Sequence, residues 1–285
     1  MNQQQQSQLD QQRKTWNHYS GGWKKWNDFL TDIMMPVGEI LIGSLELKGN
    51  EHLLDVASGT GEPGLTACKF LPEGKVTSVD FSEKMVAIAN ENARQYGINN
   101  YQSREAEVSN MPFEDNLFDD IICRFGMMFF PDIRASIHEM LRVLKPGGKL
   151  AVAVWAAPEK NSFLALLGVT VSEKLGVPKP PPDTPGIFRF AKPGSLSGFF
   201  NEAGFINVTE SNLNGEIGYD SFEHFWELSS DVAGPIIELM KNEPVEVIAD
   251  IKQAVFNKAK NLIRQDGKIY LAWEAIVITG EKNQE

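Results

Sequence analysis

The run LLDVASGTGEPG, Leu53 to Gly64, has the residue types and spacing of a ligand-binding turn. An apolar stretch ends in three glycines, Gly59, Gly61 and Gly64, which spell G-x-G-x-x-G. A glycine turn that leads from a strand into a helix points backbone N–H groups outward at the positive end of the helix dipole. It therefore suits an anion. Two kinds of ligand meet that description. A dinucleotide would set its pyrophosphate on the turn and its ribose on an acid about 20 residues further on, and Asp80 stands there. A ligand with an ammonium group beside its carboxylate would also use Asp55, directly or through water. The glycines and Asp80 fit both. Asp55, inside an apolar strand, favours the second.

Two further blocks narrow the choice: AEVSNMPFEDNLFDDIICRFG, from Ala106 to Gly126, and LRVLKPGGKLAVAVW, from Leu141 to Trp155. Together with the glycine turn they resemble the class I S-adenosylmethionine (SAM)-dependent methyltransferases. Within these, the small-molecule branch that contains the ubiquinone and menaquinone C-methyltransferases is most similar. The likeness is strong over residues 50 to 157 and weak over 193 to 282. It implies SAM as cofactor and assigns residues to it. Asp55, Ala57, Ser58, Gly59, Thr60 and Gly61 surround the methionine part. Asp80 accepts both ribose hydroxyls, as a carboxylate with two acceptor oxygens can. Phe81 and Met85 pack on the adenine, and Glu107 and Val108 meet its edge. The backbone at Arg124 and Phe125 meets the methionine ammonium. Two residues depart from the family pattern: Ala57 stands where glycine is usual, and Glu107 where aspartate is usual.

The resemblance also implies where an acceptor goes. The N-terminal segment WNHYSGGWKKWNDF and residues 158 to 262 are expected to cover the site, and both are rich in aromatic residues. Trp16, Trp26, Met128, Phe129, Phe225 and Trp226 are candidate acceptor contacts. Tyr19 and Trp23 are candidates for cation–π attraction to the sulfonium. Surfaces of this kind suit a planar or greasy acceptor, to which methionine adapts. Each of these side chains equally serves to glue a lid to the core. His18, Tyr19 and His224 are the candidates for catalytic contact, and none of them is singled out as a base. His52 and His138 fall on structural elements. The expected reaction is methyl transfer to a small aromatic or hydrophobic acceptor, with C- or O-methylation favoured. An NAD-dependent oxidoreductase and a non-catalytic regulatory module of the same fold are the alternatives.

These residues need a scaffold, and the hydrophobic pattern supplies one. Apolar strands HLLDVA, KVTSVDF, FDDIICRF and KLAVAVWA alternate with amphipathic helices, SEKMVAIANENARQYG and DIRASIHEMLRVLKPGG among them. Strands that are apolar on both faces and alternate with helices predict a parallel sheet covered on both sides. The expected fold is α/β and Rossmann-like: a seven-stranded, mostly parallel sheet whose last strand is antiparallel. A helical N-terminal cap and a lid insertion complete it. One methyltransferase domain, 1–285, is expected to divide into a cap (1–48), a SAM-binding core (49–157), a lid insertion with one returning strand (158–262) and a final strand (268–282). The Gln-rich residues 1 to about 12 are expected to be frayed, two helices to join near Met35-Pro36, and PKPPPDTPG to form a loop.

Composition bounds the partners. Lys plus Arg number 27 and Asp plus Glu 38, a net charge of −11, which repels nucleic acid and anionic lipid. A small-molecule substrate is expected, with no nucleic acid and no membrane insertion. Cys68 and Cys123 have no disulfide or metal spacing, so no metal is expected and a reducing cytoplasm fits. The first residues, MNQQQQSQLDQQRK, lack the apolar core of a signal peptide.

Overall fold

A computed structural model describes residues 3–181 and 183–284 of the chain. It begins with α1 (Gln3–Lys25) and α2 (Asn27–Leu45). This corrects two expectations. The Gln-rich start is helical from Gln3, because glutamine is a good helix former and Leu9 is buried against the rest of the protein. Met1 and Asn2 lie outside the described residues. The two helices meet at Trp26 and not at Pro36, which lies inside α2. Pro36 and Asp32, whose carbonyl would otherwise accept the missing N–H, are both exposed, so the lost hydrogen bond falls on the outer face of α2.

From His52 strand and helix alternate: β1 (His52–Val56), α3 (Gly64–Ala67), β2 (Lys75–Asp80), α4 (Glu83–Gln95), β3 (Tyr101–Glu105), β4 (Phe118–Arg124), α5 (Ile133–Val143) and β5 (Leu144–Trp155). Capping fixes the helix starts. The Ser82 hydroxyl accepts the Met85 N–H, and Asp132 accepts that of Ala135. The later elements are α6 (Ser162–Leu175), α7 (Ser197–Ala203), β6 (Phe205–Tyr219), α8 (Phe222–Val232), α9 (Gly234–Met240), α10 (Val245–Ala259) and β7 (Ile269–Lys282). The Pro-rich stretch between α6 and α7 is loop where described; its Pro182 lies outside the described residues.

One seven-stranded sheet results, in the order β3-β2-β1-β4-β5-β7-β6. The first five strands are parallel. β7 runs antiparallel to both β5 and β6, as expected for the last strand. Leu53, Leu54 and Val56 of β1 and Ile121, Ile122 and Cys123 of β4 are essentially inaccessible, as strands covered on both faces must be. The chain reverses its direction of travel across the sheet between β1 and β4, which pair from Leu53 to Asp55. Beyond the carboxyl ends of such a pair an open sheet leaves a crevice.

The helices at the two ends of the chain close that crevice. α1 packs on α8 and α9, and Gly22 permits the approach: a Cβ there would lie 2.1 Å from the Asp231 carbonyl oxygen. Trp23 Nε1 donates to the Val232 carbonyl at 3.2 Å, and Trp26 Nε1 to Asp231 at 2.8 Å. No described helix is long and apolar enough to cross a membrane.

Candidate functional site

A cavity of about 220 Å³ lies beyond β1 and β4, under α1 and the α8–α9 junction. Its floor is the glycine turn. Ala57 (φ 56°), Gly59 (φ 54°) and Gly61 (φ 115°) all take left-handed backbone there, and Phe125 does so just after β4 (φ 61°). For alanine and phenylalanine that conformation is strained. Strain of this kind persists where the surrounding structure holds it, often at functional sites.

Gly64, the third glycine of the motif, opens α3 and makes room for a side chain. A Cβ there would lie 2.6 Å from Asp55 Oδ2, which instead accepts the Gly64 N–H at 2.9 Å. Asp55 is fully buried and does not line the cavity. Its second oxygen, Oδ1, has no partner. Burial holds its carboxyl well above the usual carboxylate range. Gly61 is likewise off the lining, where it shapes the turn.

Asp80 ends β2 at the rim of the cavity. Oδ2 accepts the Gly59 N–H at 3.0 Å and Oδ1 the Ser82 N–H at 2.9 Å, so both oxygens are fixed and each keeps a free lone pair. Burial pushes its pKa up to about 6. Ala57, Ser58, Gly59, Thr60, Phe81, Met85, Glu107, Val108, Arg124 and Phe125 line the same cavity. Glu107 Oε2 is engaged by the N–H and hydroxyl of Ser109. The turn is tied to the cap as well: the Asn92 amide donates to the Thr60 carbonyl at 2.8 Å and to Asn27 Oδ1 on α2 at 3.2 Å.

The remaining wall is aromatic and aliphatic. Phe125 stacks on Trp155 at 3.7 Å between centroids and 9° between planes, and Phe163 meets Trp155 edge-on. Trp16 faces Phe129 edge-on at 5.6 Å and Trp23 at 5.8 Å. Trp16, Trp23, Met128 and Phe129 line the cavity, joined by Leu9 and Gln12 of α1, Met34 of α2 and Ile236 of α9. The α1 residues had a signal: Leu9, Trp16 and Trp23 recur every seven residues, on one helix face.

Six candidates on the cap and lid, besides Asp55 and Gly61, do not reach the lining. Tyr19 donates its hydroxyl to Glu238 at 3.2 Å, and His18 packs edge-on against Tyr19 on the exposed side of α1. Trp26 stacks on His224, which also meets Phe29 and Tyr219. Phe225 is fully buried beneath Tyr219, and Trp226 packs on Phe222. These aromatics hold the lid together. Both cysteines are free and buried, and the described residues contain no cluster of three or more His, Cys, Asp or Glu side chains able to hold a metal ion.

A family model described as a methyltransferase domain matches residues 47–166. A demethylmenaquinone methyltransferase of Thermus thermophilus is 31% identical over 169 residues, covering 55% of this chain and 76% of that protein. This chain belongs to the SAM-dependent methyltransferases. SAM is therefore its cofactor. The methyltransferase is also similar to an uncharacterized protein of Mycobacterium tuberculosis, 26% identical over 253 residues and 88% of each chain. Among solved structures, YcgJ of Bacillus subtilis aligns with a TM-score of 0.57 at 23% identity, over 87% of this chain and 98% of that one. Phosphoethanolamine N-methyltransferase 2 of Haemonchus contortus, solved with S-adenosylhomocysteine, aligns at 0.56 and 16%, over 87% of this chain and 53% of that one. These two likenesses are of fold.

Proposed function

We propose that this methyltransferase alkylates a small, planar or hydrophobic acceptor, at carbon or oxygen, and that the turn end of the cavity holds SAM. One observation carries the acceptor reading. The polar side chains lining the cavity (Ser58, Thr60, Glu62, Asp80, Glu107 and Arg124) all stand on or beside the turn and the ends of β2 to β4, and away from them the wall is aromatic or aliphatic apart from Gln12. An apolar pocket with few polar groups selects an apolar guest.

The residues present fit the cofactor. Asp80 offers two fixed acceptor oxygens for a ribose diol, and Phe81, Met85 and Val108 offer an apolar slot for a flat base. Of the two Glu107 oxygens only Oε2 is hydrogen-bonded among the described residues, and Oε1 can accept from an exocyclic amine. Bound SAM supplies the electrophilic methyl group. The chain's part is to hold the acceptor in line and keep water out. Trp16, Phe129, Trp155 and Phe163 do both. Among the described lining residues there is no histidine, tyrosine, cysteine or lysine, and the Glu62 carboxylate is engaged by the N–H and hydroxyl of Thr66. An acceptor whose nucleophilic atom needs no histidine, tyrosine, cysteine or lysine as base matches this wall. His18, Tyr19 and His224 then serve the lid.

The test is a screen for S-adenosylhomocysteine release over phenols, quinols, enols, thiols and amines of graded polarity. Turnover should concentrate in the apolar phenols, quinols and enols. Turnover confined to charged, hydrophilic amines would overturn the reading.

A further inference from the structure

Arg124 carries the sole cationic group on the cavity wall among the described residues. Nη1 donates to the Met34 carbonyl at 3.2 Å and Nη2 to the Glu62 carbonyl at 3.0 Å. An arginine has more N–H donors than these two acceptors use. Neither neighbouring acid takes the rest. Glu62 turns its carboxylate onto Thr66, Asp55 turns Oδ2 onto the Gly64 N–H, and no described carboxylate lies within 4.0 Å of the guanidinium. Arg124 is half-buried, and Glu62 and Asp55 act on its charge only from beyond hydrogen-bonding distance. A guanidinium with no carboxylate bound to it is costly where water is scarce, and arginine does not relieve that cost by losing its proton. The group is held rigidly by two backbone carbonyls, one on α2 and one on the turn, with its remaining donors free. Such an arrangement suits a carboxylate, which an arginine fork meets with two parallel hydrogen bonds.

We propose that the Arg124 side chain is the counter-ion of the cofactor's α-carboxylate. This is a role apart from the one that the family resemblance gives to the backbone at this position. It rests on the reading that the turn holds the methionine end of SAM. The anchor decides between cofactor and acceptor: the Glu62 carbonyl belongs to the residue directly after Gly61, so the guanidinium sits at the end of the turn. The aromatic pairs Trp16–Phe129 and Trp155–Phe163 wall the rest of the cavity.

Calorimetry with two ligands tests it. S-adenosylhomocysteine carries the carboxylate; its decarboxylated analogue, S-adenosyl-3-thiopropylamine, keeps the amine and lacks the acid. The wild-type chain should prefer the first by roughly ten- to a hundredfold, the range of a hydrogen bond to a charged group. Arg124→Met should abolish the preference by weakening S-adenosylhomocysteine alone. Arg124→Lys, which keeps the charge without the fork, should reduce it. Equal binding of both ligands by wild type overturns the proposal, as does a Met variant that weakens both by the same factor. A Met variant that leaves both unchanged overturns it too, and assigns the cation to the acceptor. Should the Met variant not fold, a Lys variant with undiminished preference overturns it. Wild type that binds neither ligand overturns the reading of the turn, and this inference with it.

Discussion

The methyl group of Ala57 fills the space that a side chain at Gly126 would need: a Cβ on Gly126 would lie 2.5 Å from it. Ala57 follows β1 and Gly126 lies just beyond β4, so the two meet where the turn crosses between neighbouring strands. Gly126→Ala should therefore destabilise the fold by about 1–3 kcal/mol, as overpacking does. Ala57→Gly removes both the methyl and an alanine at φ 56°. Combined with Gly126→Ala it should recover part of the loss, because the Cys123 Sγ at 2.9 Å remains in the way. Thermal unfolding of the two single variants and the double variant gives the coupling. Strict additivity would refute the contact.

The turn was legible because its signals are local. Asp55 and Asp80 fall in the last residues of β1 and β2, and Gly59 and Gly61 in the turn that follows β1, where a short stretch of chain fixes their place. Gly64 was readable only as a helix residue; that it clears space for Asp55 depends on a side chain nine positions away. The lid was less legible. Trp16, in the middle of α1, and Trp26, at the α1–α2 junction, are alike in type, yet one faces the cavity and the other stacks on His224. Which face of a helix meets a ligand and which meets another helix is settled by α8 and α9, some 200 residues further on. Gln12 was masked by the glutamines around it, which carry helix propensity but no periodic contrast.

Cofactor affinity should depend on pH through Asp80. Burial raises its carboxyl to about 6 in the free protein. A raised carboxyl favours the folded state most below its unfolded pKa, and that contribution is lost as pH rises through about 6. Ligand binding runs the other way. Two backbone N–H groups and two ribose hydroxyls need the ionised form, so SAM affinity should fall as pH drops below about 6. Asp80→Ala should weaken SAM strongly, by roughly 1.5–3 kcal/mol or more, leave the fold intact, and flatten the pH profile. An Asp80→Ala chain that binds SAM like wild type would remove Asp80 from the site.

The buried Asn92 amide should matter for the turn more than for the helix it sits on. It is 5% exposed and spends both N–H groups on Thr60 and Asn27. Asn92→Ala leaves two acceptors without donors, about 1–3 kcal/mol. Asn92→Asp, nearly the same shape, sets an oxygen against those two oxygens and should be worse. SAM dissociation constants should rise in the order wild type, Ala, Asp. If Asp binds as well as wild type, the bridge does not position the turn.

The seam between α1 and α8 should control acceptor turnover more than cofactor binding. At Gly22 an added Cβ would meet the Asp231 carbonyl at 2.1 Å, a backbone atom that cannot rotate away. Gly22→Ala must push α1 outward, and Trp16 and Trp23 on that helix wall the cavity. Asp80, Thr60 and Arg124 stand on the sheet side and stay in place. The variant should therefore bind S-adenosylhomocysteine within a few-fold of wild type while its turnover of any accepted substrate falls at least about tenfold, the effect of misplacing a reactant by a small distance. Its tryptophan emission should shift to the red as Trp16 and Trp23 meet water. Full turnover with unshifted emission would show that the seam yields without opening the cavity.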